Sequence, residues 1–137
     1  MSLKEYMVEL RDPGHEMTSA GLGQLSGLTD EDERAFKAGW EAIPVNRRLE
    51  LINRLVEIAD DNAELDYHAV FCYALGDDEP SVREHATLGL WETEDRRTIP
   101  LLIERLEHDS ADEVRGAAAQ ALGHFAVLAD SGKLVPR

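Results

Sequence analysis

Residues 109–122 read Asp-Ser-Ala-Asp-Glu-Val-Arg-Gly-Ala-Ala-Ala-Gln-Ala-Leu, and they decide the fold because the chain uses the same pattern once before. An acidic turn, a Val-Arg pair, an alanine and a leucine also occur 32 residues earlier, where Asp77-Asp78-Glu79-Pro80 forms the turn. A repeat of this period is typical of stacked helical hairpins. The repeated positions are Val82, Arg83, Ala86, Leu90, Val114, Arg115, Ala118 and Leu122.

Helix start and stop signals divide the chain from Leu28 onward into six helices joined by short turns. Thr29 is a suitable cap for the first helix, and Pro44 separates the first helix from the second. Gly76 is expected to end the third helix in the left-handed conformation. Six such helices form about three antiparallel hairpins, so the predicted fold is an all-α, right-handed solenoid. The second helices of the hairpins are predicted at residues 45–59, 80–91 and 112–126.

Composition and repeat quality divide the chain into three parts. Residues 1–27 are predicted to be a partly ordered N-terminal arm, because Asp12-Pro13-Gly14 breaks any helix and a glycine-rich connector follows. Residues 28–128 are the predicted repeat domain. Residues 129–137 form a C-terminal tail, of which Leu134–Arg137 resembles the remnant of a thrombin-cleavable tag. The last hairpin lacks a polar terminal cap, so the chain is either a monomer, a weak dimer through this repeat, or a piece of a longer array.

The net charge of −14 restricts the partners of the protein. Nucleic acids and anionic membranes require a basic face, and 14 Lys and Arg against 28 Asp and Glu argue against both. Two explanations of the negative charge remain: the protein binds a partner with a basic surface, or the charge serves only solubility. The absence of a long apolar run and of a secretory signal predicts a cytoplasmic protein.

The segment from Asp109 to Gly123 resembles HEAT repeats, in particular the bacterial HEAT-like proteins grouped with phycobilin lyase-type repeats. The resemblance covers residues 28–126, and it implies a protein–protein interaction or scaffold module without catalytic activity. The same resemblance leaves an alternative, an accessory protein of lyase-like or chaperone-like type that acts on a cofactor-bearing partner. A third possibility is a purely structural segment of a longer solenoid.

No catalytic, cofactor-binding or metal-binding residues are predicted from the sequence. Cys72 lies in an apolar helical stretch and is interpreted as a small buried hydrophobe rather than a reactive thiol. Glu84-His85 suggests a metal ligand pair, but the matching positions of the next repeat are Gly116 and Ala117, which cannot bind a metal. No local signature of a nucleophile is present.

The second helices of the hairpins are expected to line the concave side and to bind the partner. Arg83 and Arg115 have two interpretations there: they form a row of cations for an acidic ligand, or each bonds an acidic side chain or a turn carbonyl within the repeat stack. Helix phase and the family resemblance together predict the partner-binding residues Arg47, Arg54, Glu84, Thr87, Trp91, Gln120 and His124.

Overall fold

A computed structural model of the chain describes residues 2–62, 64–90 and 96–130, and all regular secondary structure in this described part is helical. It contains eight α-helices that pack in pairs and no β-strand, in agreement with the predicted α-solenoid of helical hairpins. Two 3₁₀ turns occupy Gly23–Leu25 and Arg96–Thr98. The helices are α1 (Leu3–Glu9), α2 (Ser19–Leu22), α3 (Asp30–Trp40), α4 (Val45–Asp61), α5 (His68–Ala74), α6 (Pro80–Gly89), α7 (Ile99–His108) and α8 (Asp112–Asp130).

The chain forms two compact units, Met1–Tyr73 and Ala74–Arg137, and the boundary between them falls within α5. The division into arm, repeat domain and tail that the sequence suggests stays a prediction. Trp91 and Leu134–Arg137 lie outside the described residues.

The core of the first unit is built by α3 and its aromatic residues. The Thr29 side chain accepts a hydrogen bond from the Asp32 N–H and caps α3 as predicted. Phe36 and Trp40 are buried one turn apart, with ring centroids 5.2 Å from each other. The ring of Phe36 also meets Tyr73 edge-on at 5.8 Å. This aromatic cluster is the apolar face that the helical spacing indicates.

Part of the predicted N-terminal arm is helical and buried. Helix α1 packs against α3, and its residues Leu3, Tyr6 and Met7 are buried. These positions follow the spacing of an amphipathic helix, so α1 needs an apolar surface to cover it. Helix α3 supplies that surface at Gly39, where an added Cβ would lie 3.1 Å from the Cβ of Met7. The arm therefore belongs to the core of the first unit.

The glycine-rich connector also has a defined conformation. A left-handed glycine is found in this connector and not at Gly76, where it was predicted. Among the described residues, Gly27 has the positive φ, at 57°, so the prediction for Gly76 is wrong. Gly27 N–H donates to the Asp66 carbonyl at 2.8 Å, and Asp66 N–H donates to the Ser26 hydroxyl at 2.8 Å. The left-handed turn is therefore used where the connector is attached to the loop before α5.

The second unit contains both copies of the Val-Arg pattern, on α6 and on α8. Helix α8 packs against both α6 and α7. Six of the eight repeated positions are buried. One of them is Arg83, and the other five have small or branched apolar side chains that suit close packing. The exceptions are Arg115 and Leu122 on α8, which are half-buried although their equivalents Arg83 and Leu90 on α6 are buried. The two copies of the pattern thus have the same helical structure but different environments.

Candidate functional site

The strongest polar feature of the second unit is a buried ion pair between Arg83 and Asp109. Arg83 Nε donates to Asp109 Oδ2 at 2.8 Å, and Arg83 Nη2 donates to Asp109 Oδ1 at 2.9 Å. Arg83 Nη1 donates to the backbone carbonyls of Asp77 at 2.8 Å and Asp78 at 3.1 Å. The guanidinium therefore joins the turn before α6 to the turn before α8, with the bidentate geometry that suits arginine.

Asp109 is held in its charged form by its donors. Burial by itself would raise the pKa of the Asp109 carboxyl, but the bond from Arg83 and the N–H of Ala111 outweigh it and keep this pKa below its ordinary value. The hydrogen bond to Asp109 in turn raises the pKa of Arg83. Because this cation is satisfied by groups of the stack, Arg83 follows the second interpretation and offers no free charge to a ligand.

Arg115 occupies the equivalent position on α8 but has different partners. Its Nη1 donates to the backbone carbonyl of Asp109 at 2.6 Å, which repeats the turn contact of Arg83. Its carboxylate partner is Asp112 of the same helix, whereas the carboxylate partner of Arg83 comes from the next hairpin. Arg115 and Asp112 are both accessible to solvent, so this ion pair can exchange its partner.

The surface of α8 that faces solvent is unusually free of charge. From Gly116 to Ala129 the helix has no Asp, Glu, Lys or Arg, although 31% of the chain is charged. Four exposed residues of this stretch fall on one side of the helix by their spacing, and we call them the uncharged strip. Its members are Gly116, Gln120, Gly123 and Val127.

The uncharged strip has two glycines without side chains and an exposed valine at its C-terminal end. A Cβ added at Gly116 or Gly123 would meet no atom within 4 Å, so packing does not require glycine at either position. Val127 is 65% exposed, the highest value among the large apolar residues of the described chain. By the 32-residue shift, Gln120 corresponds to Leu88 on α6, which is also exposed. The equivalent position of α6 therefore also presents an exposed side chain, and there it is apolar.

Three of the residues predicted to bind a partner remain accessible in the second unit. Glu84 on α6 and His124 on α8 are half-buried, and Gln120 is exposed within the uncharged strip. Thr87 is fully buried, and its hydroxyl donates to the Arg83 carbonyl at 2.8 Å, so it presents no surface to a partner. Trp91 lies outside the described residues. Whether these residues bind a partner stays a prediction, except that the burial of Thr87 makes it unsuitable.

The remaining two candidates, Arg47 and Arg54, lie on α4 in the first unit. Arg47 is buried: its Nε donates to the Leu10 carbonyl at 3.2 Å, and its Nη2 donates to the His15 carbonyl at 2.7 Å. Its Nη1 also pairs with Glu50 at 3.1 Å. Arg47 therefore attaches the N-terminal arm to α4, a role for which the sequence gives no signal because its partners are backbone carbonyls. Arg54 is half-buried.

Sequence reasoning missed the apolar members of the accessible surface, Leu88 and Val127. The available signal is the lack of charge from Gly116 onward, together with the repeat shift that relates Leu88 to Gln120. Binding sites are usually predicted from charged and aromatic residues. An uncharged helix face is therefore predicted to be part of the core. Solvent exposure distinguishes a binding face from a core face, and exposure is known only for the folded chain.

The histidine and cysteine side chains form local pairs. Cys72 Sγ lies 3.3 Å from His68 Nε2, one helical turn away on α5, and the Cys72 side chain is half-buried. His85 Nδ1 lies 2.8 Å from the Ser81 carbonyl oxygen, so this ring nitrogen is hydrogen-bonded to the backbone. Within residues 2–62, 64–90 and 96–130, no group of three or more His, Cys, Asp or Glu could hold a metal ion. No helix of the same ranges is long and apolar enough to cross a membrane.

Comparison with known proteins gives one match. Residues 68–131, which begin at α5 and extend through α8, match the family model described as HEAT repeats. None of the curated proteins and none of the solved structures that were compared matches the chain.

Proposed function

We propose that the protein, whose residues 68–131 match the HEAT-repeat family model, is a protein–protein interaction or scaffold module without catalytic activity. Its partner binds the exposed face of α6 and α8. HEAT repeats commonly serve as interaction scaffolds. The observation that carries the proposal is the uncharged strip on α8, which is solvent-exposed in a chain where one residue in three is charged.

The chemistry of the strip suits a protein surface. Charged residues are depleted at the centre of protein interfaces, because each one that is buried there must lose its water. Gln120 offers both a donor and an acceptor, while Val127 and Leu88 supply apolar area that a partner can cover. Gly116 and Gly123 leave room for side chains of the partner to approach the helix backbone.

The charges around the strip suggest a basic rim on the partner. Glu113 lies about one turn before Gly116 on α8, and Glu84 is the repeat equivalent of Gly116 on α6. The chain as a whole carries a net charge of −14. A complementary basic rim would accelerate association and make it dependent on salt, since rim charges act mainly on the association rate.

Affinity capture with the full chain as bait tests this proposal. Val127→Glu and Gln120→Glu place a charge within the strip, and Leu101→Glu on α7 is the matched control because it introduces the same charge at an exposed apolar residue elsewhere. A specific partner should bind the unmodified chain and the Leu101→Glu variant and be lost from the two strip variants. A partner that binds all four proteins equally would show that the strip is not its site.

A further inference from the structure

One side of the last hairpin is exposed although its equivalents in the preceding repeat are buried. On α6, Thr87 and Leu90 are fully or almost fully buried. The 32-residue shift relates them to Ala119 and Leu122 on α8, of which the first is exposed and the second half-buried. The face of α8 that corresponds to the stacking face of α6 is therefore accessible to solvent.

The same relation holds for the first helices of these hairpins. Phe71 and Ala74 on α5 are 3% and 0% exposed. Their equivalents on α7 are Ile103 and Leu106, which are 40% and 37% exposed. We call the four residues Ile103, Leu106, Ala119 and Leu122 the end face, and all of them are apolar. Apolar residues that are exposed where the other copy of the pattern has buried residues are candidates for an interface.

Two opposite charges flank the end face. Arg115 lies one helical turn before Ala119 on the same side of α8, and Asp112, its carboxylate partner, is highly exposed. Glu107 lies one turn after Ile103 on α7, and its side chain is also largely exposed. Arg83, the equivalent of Arg115, is instead satisfied by a carboxylate of the next hairpin. The end face thus has the exposed Arg115–Asp112 ion pair on one helix and an anion on the other, with apolar residues between them.

We propose that the end face binds the end face of a second copy of this chain, related by a two-fold axis. In such an interface every contact occurs twice, so a surface with an anion on one side and a cation on the other is complementary to itself. The Arg115 side chain then faces Glu107 of the second copy, and the apolar residues of both copies cover each other. The net charge of −14 on each copy opposes association, which makes the dimer weak and sensitive to salt.

This dimer is independent of the function proposed above, because it uses a different side of α8. The uncharged strip contains Gln120 and Gly123, whereas the end face contains Ala119 and Leu122, about 100° around the helix. A partner protein can therefore be found or not found without any consequence for the dimer, and the two proposals fail in different experiments.

Sedimentation equilibrium of the full chain, from about 1 µM to about 1 mM, tests the proposal across the range of weak association. The unmodified protein should form a dimer as its concentration rises. Leu106→Glu should weaken this dimer by about tenfold or more, because it places a charge in the apolar centre. Leu101→Glu is the matched control: the same substitution on the same helix, at a leucine that is 41% exposed but points away from the end face. Its dimer should be unchanged.

A second pair of variants tests the predicted charge contact. Glu107→Lys should weaken the dimer by placing a cation opposite Arg115 of the second copy. Glu57→Lys on α4 makes the same change in net charge at an exposed position of the first unit and should not weaken it. A protein that is monomeric at every concentration would overturn the proposal and leave the end face to a different protein. A dimer that Leu106→Glu leaves intact, or that Leu101→Glu weakens equally, would overturn it as well.

Discussion

Removal of the Asp109 carboxylate should destabilise the second unit more than any other single change to a polar side chain there. In Asp109→Ala, the Arg83 guanidinium loses two short charge-assisted bonds, of 2.8 and 2.9 Å, and the N–H of Ala111 loses its acceptor. Arg83 stays buried with a full positive charge. Breaking a buried ion pair from one side typically costs about 3–5 kcal/mol of the free energy of unfolding.

The structure places the expected loss near the lower end of that range, at about 3 kcal/mol. Arg83 keeps its two carbonyl acceptors in the turn of Asp77 and Asp78, so its charge is not left wholly unsolvated. Arg83→Met should cost less, about 2 kcal/mol, because Asp109 retains the Ala111 N–H and the Arg105 guanidinium at 3.4 Å. The double variant Arg83→Met/Asp109→Leu should lose clearly less than the sum of the single losses, because neither charge is then left unpaired.

Urea unfolding followed by far-UV circular dichroism measures these losses in the free energy of unfolding. Each loss appears as a lower urea concentration at the unfolding midpoint, with an unchanged dependence of the free energy on urea. Asp112→Ala is the matched control, since it removes the carboxylate of the exposed Arg115 pair and should cost much less. A loss below about 1 kcal/mol for Asp109→Ala, or single losses that add in the double variant, would refute the argument that the buried pair acts as a unit.

Three further predictions concern the acid stability of the protein, the buried Tyr6 hydroxyl and the packing at Gly21. The lowered pKa of Asp109 stabilises the folded protein above about pH 4, the ordinary carboxyl pKa, and this stability is lost as the pH falls further. In urea titrations, acidification below about pH 4 should therefore lower the free energy of unfolding of the unmodified protein more than that of the Asp109→Asn variant. Burial raises the pKa of Tyr6 to about 12, and its hydroxyl has no hydrogen-bond partner. Tyr6→Phe should therefore raise the unfolding midpoint slightly at pH 7 and reduce the loss of stability between about pH 10 and 12. A smaller loss should remain because burial also raises the pKa of Tyr67. Gly21→Ala should lower the free energy of unfolding by about 1–3 kcal/mol, because its Cβ would lie 2.7 Å from Tyr6 Cε1, whereas Gly23→Ala, which meets nothing within 4 Å, should be neutral or stabilising in the same thermal melts.

The helices and their order follow from local signals that survive into the folded chain. Thr29 caps α3 as its position predicts, and the acidic turns and prolines mark the starts of α4, α6 and α8 within two residues. Capping, proline geometry and apolar period depend on neighbours within one or two turns, so a single sequence contains them. The 32-residue repeat adds the hairpin arrangement, since equal patterns adopt equal local structures.

The arm shows where local reasoning stops. The glycines between Thr18 and Leu28 indicate a loose connector when each is considered for its conformational freedom. In the folded chain Gly21 lies under the ring of Tyr6, and Gly27 is the residue that turns the connector toward Asp66. These roles depend on residues 15 to 39 positions away, and a sequence pattern does not show which distant side chain approaches a glycine.

The sequence by itself determined the helical class of this protein, the period of its repeat and the pairing of its helices, because these depend on short-range geometry. The tertiary structure alone decided which of the repeated positions are buried and which face solvent. Arg83 and Arg115 occupy the same place in the pattern, but only Arg83 meets a carboxylate from a following hairpin, so identical residues serve a buried ion pair and an exposed surface. The difference arises from stacking, which is a property of neighbouring repeats and not of the repeated residue.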